Sequence, residues 1–268
     1  SSTGLEVSYG QLKVLFGVDI SVERGEMLAL LGTNGAGKST WLKAVMGLAP
    51  SKGAIVVDGV NRTGTSTEAL VANGVALMVG GKSTFSMMTV ADHLRLAGWT
   101  RRKDSDADFA ADLEEVHALF PSLDRRMNTH AGDMSGGEQQ QLALAQTLLL
   151  RPRILLIDEL SLGLAPTVVA DLVRVLENLN SAGVTIVIVE QSVNLAMTLA
   201  KRAVFMEKGQ VRYVGPTAEL LHRPEILRSI FFEQGEADSN ASPDAQGLGV
   251  LHEAPAELGE VQLSCVGI

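Results

Sequence analysis

At 268 residues, with 46% hydrophobic and 20% charged positions, the chain has the composition of a globular protein able to bury a sizeable core in one large domain or two small ones. No apolar run approaches the roughly 20 residues that span a bilayer, and the single cysteine, Cys265, excludes an internal disulfide or a cysteine metal cluster, as suits a reducing cytoplasm. Lys and Arg number 22 against 31 Asp and Glu, a net charge of −9, but seven of those acids fall in residues 233–268, so residues 1–232 are near neutral and offer no broad basic face for nucleic acid.

The opening SSTGLEVSYG has neither the pattern of a secretory signal nor an initiator methionine, and reads as processed, trimmed or cut from a longer polypeptide. Residues 5–21 alternate in the manner of antiparallel strands, with Tyr9, Gly10 and Gln11 as a turn. Apolar runs bounded by glycine follow at residues 27–31, 75–79, 154–157, 184–189 and 203–206, the pattern of buried strands, and Gly209 breaks a late hairpin between Val204 and Val214. Between several of these runs lie helical patterns, such as Leu172, Val175, Leu176 and Leu179. Strands alternating with helices predict an α/β protein with a mostly parallel sheet covered on both faces. Residues 90–134 differ, because charged and alanine-rich helical stretches without a strand-like run predict a helical subdomain inserted between two parts of the sheet. Residues 233–268, rich in Gly, Ser, Ala, Pro and acid, read as a flexible extension or linker, and no internal repeat is present.

The tetrapeptide Gly-Lys-Ser-Thr occurs twice, at residues 37–40 and 81–84. A phosphate loop needs G-x-x-x-x-G-K-[ST] between a strand and a helix, so that glycines let backbone N–H groups curl around phosphates while the helix N-terminus adds positive potential. Gly32, Thr33, Asn34, Gly35, Ala36, Gly37, Lys38 and Ser39, followed by Thr40, satisfy every position, with apolar residues 27–31 before them and STWLKAVMGL after. Lys38 is expected to contact the β- and γ-phosphates and Ser39 to ligate Mg²⁺. The second copy lacks the first glycine, since Ala76 stands five residues before Gly81, and reads as a glycine loop.

Residues 154–157 run apolar into Asp158 and Glu159. A carboxylate at a buried strand end is costly without a cation or donor. Beside a phosphate loop this is the Walker B pattern, in which Asp158 reaches Mg²⁺ through its water shell and Glu159 polarises the attacking water, the alternative being a solvated strand end. Upstream, in MSGGEQQQLALAQTLLL, Ser135, Gly136, Gly137 and Glu138 fit an S-x-x-E capping box, and two glycines at a helix start also expose N–H groups to an anion.

Together these motifs resemble the ATP-binding cassette (ABC) ATPases, whose signature is usually LSGGQ, in the family's order over about residues 5–232. The resemblance implies a P-loop NTPase fold: a RecA-like, mostly parallel sheet with an N-terminal antiparallel β subdomain and an inserted helical subdomain at about residues 90–134, the ATP-binding domain occupying residues 1–232. It implies a dimer in which Ser135, Gly136, Gly137 and Glu138 of one subunit cover the γ-phosphate on the other's loop. It further implies transmembrane permease partners and a peripheral place at the cytoplasmic face of the cell membrane. Tyr9 falls where the family stacks an aromatic ring on adenine, and is otherwise an ordinary strand tyrosine.

Within the family, MSGGEQQ, IDELSLGLAP and VIVEQSVNLAM look most like the smaller ATPase subunit of bacterial branched-chain amino acid importers, the LivF type. That likeness implies import of branched-chain or other amino acids or small amides, and a heterodimer with a larger ATPase subunit in preference to a homodimer. Three positions depart from the wider family. Gln191 stands at the switch position usually held by histidine; its amide still donates a hydrogen bond, and it joins Glu159 and Lys38 as a catalytic candidate. Leu160 replaces a proline. Gly80 falls where a Gln or Glu approaches Mg²⁺ and the attacking water, so coupling is expected to be altered and a restored Gln or Glu to raise it.

Two other functions fit the same residues. The cassette is excised from a transporter polypeptide with its own membrane domain, or it is a regulator that closes on ATP and barely hydrolyses it, a reading that Gly80 and Gln191 motivate and Glu159 opposes. An ABC ATPase of DNA repair or translation usually brings a coiled-coil insertion, a second cassette or a basic surface, and the sequence has none of these.

Overall fold

The computed structural model describes residues 1–80, 84–99 and 106–223. Gly81, Lys82 and Ser83 of the second tetrapeptide, and the extension expected at 233–268, lie outside the described residues.

The first half runs β1 (Ser2–Tyr9), β2 (Leu12–Ile20), β3 (Met27–Gly32), α1 (Lys38–Val45), β4 (Ser51–Val57), β5 (Val60–Asn61), α2 (Thr67–Ala72) and β6 (Val75–Val79). Helices α3 (Val90–Gly98), α4 (Asp106–Leu119), α5 (Pro121–Asp124) and α6 (Gly136–Leu148) follow. The chain then alternates through β7 (Ile154–Asp158), α7 (Pro166–Ser181), β8 (Thr185–Glu190) and α8 (Val193–Leu199) to the hairpin β9 (Arg202–Glu207) and β10 (Gln210–Pro216). Strands β2-β1-β4-β5 form an antiparallel sheet; β10-β9-β3-β8-β7-β6 form a second, parallel except for β10 at its edge.

Alternation of side chains across a strand explains the continuous apolar runs. Leu28 and Leu30 of β3 face the antiparallel sheet with Trp41 and Leu42 of α1, whereas Met27, Ala29 and Leu31 face the helical layer. Strand β8 divides the same way, Val187 and Val189 to one core and Ile186 and Ile188 to the other. Both faces of β3 are buried, so no polar residue interrupts its pattern. The parallel strands point their C-terminal ends, and therefore Gly32, Asp158 and Glu190, toward one edge of the sheet.

Residues 51–61, in which Ala54, Ile55, Val56 and Val57 lie between Gly53 and Gly59, form β4 and β5, and β4 pairs with β1. The pairing shifts register opposite Gly53, where a Cβ would lie 2.4 Å from the Gly4 carbonyl oxygen. Among the described residues from 90 to 134 the structure is helical or turning, and the isolated bridge of Thr89 with His130 closes its base. Helix α3 starts in a capping box of Thr89 and Asp92. Its fully buried His93 accepts from the Phe85 amide at Nε2 (2.8 Å), so Nδ1 carries the proton and donates to the Thr89 carbonyl (2.8 Å), tying the segment after β6 to the helix.

Candidate nucleotide site

The chain leaves β3 at Gly32 and enters α1 at Lys38, so the motif predicted to hold phosphate is the turn between them. Two of its glycines are dictated by geometry: a Cβ on Gly32 would sit 2.3 Å from the Met206 carbonyl oxygen, and Gly37 takes a left-handed φ of 98°. Gly37 has no side chain with which to cap α1, which leaves the first amides of that helix to an anion. The loop is braced from outside by the Gly209 amide, which donates to the Ala36 carbonyl over 3.0 Å. Lys38 is buried, and its Nζ donates to the carbonyls of Gly32 (2.7 Å) and Thr33 (2.9 Å).

Across the sheet, the Ser39 hydroxyl donates to Oδ1 of Asp158 over 3.0 Å, although 119 positions separate them. Burial, and next the charge of Glu159, raise the Asp158 carboxyl above its ordinary pKa against the opposing Ser39 bond and Lys38 charge. A hydroxyl and a half-buried carboxylate side by side are hard oxygen donors of the kind Mg²⁺ takes with phosphate and water. The described residues contain no cluster of His, Cys, Asp or Glu that would cage a metal by itself. The residues present therefore fit a Mg²⁺ shared with a phosphate ligand.

Glu159 follows in a left-handed conformation, φ 57°, rare for a residue with a side chain. Its Oε1 accepts from Nε2 of Gln191 over 2.8 Å, so the structure brings the Walker B and switch candidates into contact. Sequence reasoning missed two residues that hold this turn. Gln140 of α6 donates from Nε2 to the carbonyls of Glu159 (3.2 Å) and Leu160 (3.3 Å). Glu190, 3% exposed, accepts at Oε1 from the amides of Leu160 and Ser161 (both 3.0 Å) and at Oε2 from the Ser161 hydroxyl (3.0 Å) and the Gln191 amide (3.3 Å). Burial pushes the Glu190 carboxyl up despite these four bonds. The signal was in VIVEQ: a charged residue ends an otherwise apolar strand, the same anomaly that marks Asp158. Leu160 also acquires a reason, because the N–H that a proline would lack is the one Glu190 binds.

Ser135 caps α6, accepting from the Glu138 amide (3.3 Å), while Glu138 reaches back to the Ser135 amide (2.9 Å) and to Arg126 (2.7 Å). The capping box is thus formed, and the Glu138 carboxylate is engaged within its own subunit. Tyr9 is exposed at the end of β1, beside the hairpin turn.

Gly80 overturns one expectation. Its amide donates to the Asp158 carbonyl over 2.9 Å, and a Cβ there would lie 2.5 Å from the Glu159 carbonyl oxygen and 2.6 Å from that of Asp158. A Gln or Glu at this position collides with the backbone that carries both acids. Restoring such a side chain is therefore expected to disturb the site and not to raise its activity.

A glycine loop between a parallel strand and a helix, with a hydroxyl–carboxylate pair and a second acid at the tip of the next strand but one in the sheet, defines a P-loop nucleoside triphosphatase. Residues 15–161 match the family model described as ABC transporter. The chain is 37% identical over 219 residues to the high-affinity branched-chain amino acid transport ATP-binding protein BraG of Pseudomonas aeruginosa, covering 81% of this chain and 93% of that one. It is 32% identical over 225 residues to the probable branched-chain amino acid transport ATP-binding protein LivF of Archaeoglobus fulgidus, covering 83% and 94%. Among solved structures, an ATP-binding subunit of an ABC transporter superposes with a TM-score of 0.73 at 27% identity, over 87% of this chain and 98% of the other. A nucleotide-free ABC cassette, 21% identical, shares the fold with a TM-score of 0.77 over 85% and 96%. The chain belongs to the ABC transporter family, whose ATP-binding cassettes hydrolyse ATP. No helix among the described residues is long and apolar enough to cross a membrane.

Proposed function

We propose that this chain is the ATP-hydrolysing subunit of an importer for branched-chain or other amino acids, bound to permease subunits at the cytoplasmic face of the membrane. The observation that carries this reading is the meeting of Ser39 with Asp158, and of Glu159 with Gln191, at strand ends beside the phosphate loop. The loop amides and Lys38 hold the β- and γ-phosphates, and Tyr9 stacks on adenine. Ser39 and Asp158 hold Mg²⁺, which when bound neutralises charge on the phosphate oxygens. Glu159 takes the proton of the attacking water, and Gln191 keeps that carboxylate in place and donates to the γ-phosphate.

The names of the two curated relatives support the amino acid substrate. Ser135, Gly136 and Gly137 of this chain cover the γ-phosphate held by a second cassette, whose own signature covers the phosphate held here, a different subunit being favoured over a second copy, and the helices of residues 90–134 carry the motion to the permease. The test is purification with native membrane subunits, followed by ATP-dependent uptake of leucine, isoleucine and valine into proteoliposomes. Uptake abolished by Glu159→Gln is expected; recovery of a monomer with no membrane partner would overturn the transport reading.

A further inference from the structure

Glu190 is almost completely buried, and the hydrolysis described above makes no use of it. Its carboxylate nevertheless touches both sides of the catalytic pair. The left-handed turn at Glu159 is followed by two amides, of Leu160 and Ser161, that both donate to Oε1. Oε2 takes the Ser161 hydroxyl and the amide of Gln191, the adjacent residue whose side chain reaches Glu159. One carboxylate thus grips the turn that aims Glu159 and the residue that binds it.

We infer that Glu190 is a positioning residue for hydrolysis, locking the turn at Glu159 to the end of β8 so that the Gln191–Glu159 bond is kept. The inference rests on the assignment of Glu159 as the general base. Removal of the carboxylate leaves the fully buried Leu160 amide without its acceptor, and the turn then relaxes toward a right-handed backbone, carrying Glu159 away from Gln191. Nucleotide binding belongs to Lys38 and the loop after β3, whose hydrogen bonds described above do not involve Glu190.

The test uses the purified full chain with Mg·ATP, measuring kcat, KM, affinity for a fluorescent ATP analogue and thermal unfolding. Glu190→Leu is expected to lower kcat about 100-fold, the scale of about 1 Å of misplacement. KM and analogue affinity should stay within about twofold of wild type. Glu190→Gln retains an acceptor for the Leu160 and Ser161 amides and should recover much of the rate. Adding Gln191→Ala to Glu190→Leu should lower kcat far less than it does in the wild type, since the bond it removes is already weakened, whereas in Glu190→Gln it should cost nearly as much as in the wild type. If Glu190→Leu does not fold, Glu190→Ala, which also removes the acceptor, takes its place. A wild-type kcat in Glu190→Leu or Glu190→Ala, a loss of analogue affinity equal to the loss of kcat, or a Gln191→Ala effect fully additive to that variant's would each overturn the inference. A wild type no faster than Glu159→Gln would overturn the base assignment and this inference together.

Discussion

Gln191 donates from Nε2 to Oε1 of Glu159 over 2.8 Å, joining the ends of two neighbouring strands. This contact predicts the phenotype at the switch position. Gln191→Ala should lower kcat by about tenfold through lost orientation of the base, while leaving the KM for ATP nearly unchanged. Steady-state kinetics of the two proteins check it.

Lys38 answers to a different measurement. Its amine is the charged group at the phosphate loop, and charge-assisted hydrogen bonds contribute about 1.5–3 kcal/mol. Lys38→Ala should therefore weaken ATP binding by about 10- to 100-fold, read by equilibrium titration with a fluorescent analogue. An affinity equal to wild type would remove the loop from the nucleotide site.

Gly80→Gln is predicted to reduce stability, against what the family pattern alone suggests. A Cβ 2.5 Å from the Glu159 carbonyl oxygen forces backbone to move, and overpacking of this kind costs about 1–3 kcal/mol. Thermal unfolding should show a lower midpoint and ATPase activity should fall with it. A gain in activity at unchanged stability would show that the loop has room the structure denies.

The phosphate loop and the Asp158–Glu159 pair were legible in sequence because each is a contiguous motif whose geometry follows from the strand and turn that carry it. The central strands were legible for a related reason: residues 27–31 and 186–189 are buried on both faces and read as unbroken apolar runs. Gly80 could be placed against the family pattern, but its reason could not, since the obstruction comes from carbonyls nearly 80 positions away. Glu190 was marked by its place at the end of an apolar strand, but its partners were not, since three of its four bonds go to Leu160 and Ser161 about 30 positions earlier.

Glu26 and Arg202 form a two-pronged ion pair, Nε to Oε1 at 2.6 Å and Nη2 to Oε2 at 2.9 Å, that fastens β9 beside the start of β3. Burial raises the Glu26 carboxyl, but the Arg202 hydrogen bonds, the Glu23 amide and the guanidinium charge outweigh it and hold the group below its ordinary value. A depressed carboxyl contributes stability in full above its unfolded pKa, about 4.3 for Glu. That contribution is lost as pH falls through the folded value. Glu26→Gln should cost about 1 kcal/mol at neutral pH and flatten the acid limb of the stability profile below about pH 4. Denaturant unfolding across that range checks both effects.

The account turns on Glu159 as the base of an ATP hydrolase. The most direct test is phosphate release from Mg·ATP by the purified full chain, wild type against Glu159→Gln, with nucleotide binding measured on the same samples. The prediction is a Mg²⁺-dependent wild-type rate that falls by about 10²–10⁴ in the variant while ATP binding persists. Equal rates in the two proteins would contradict it.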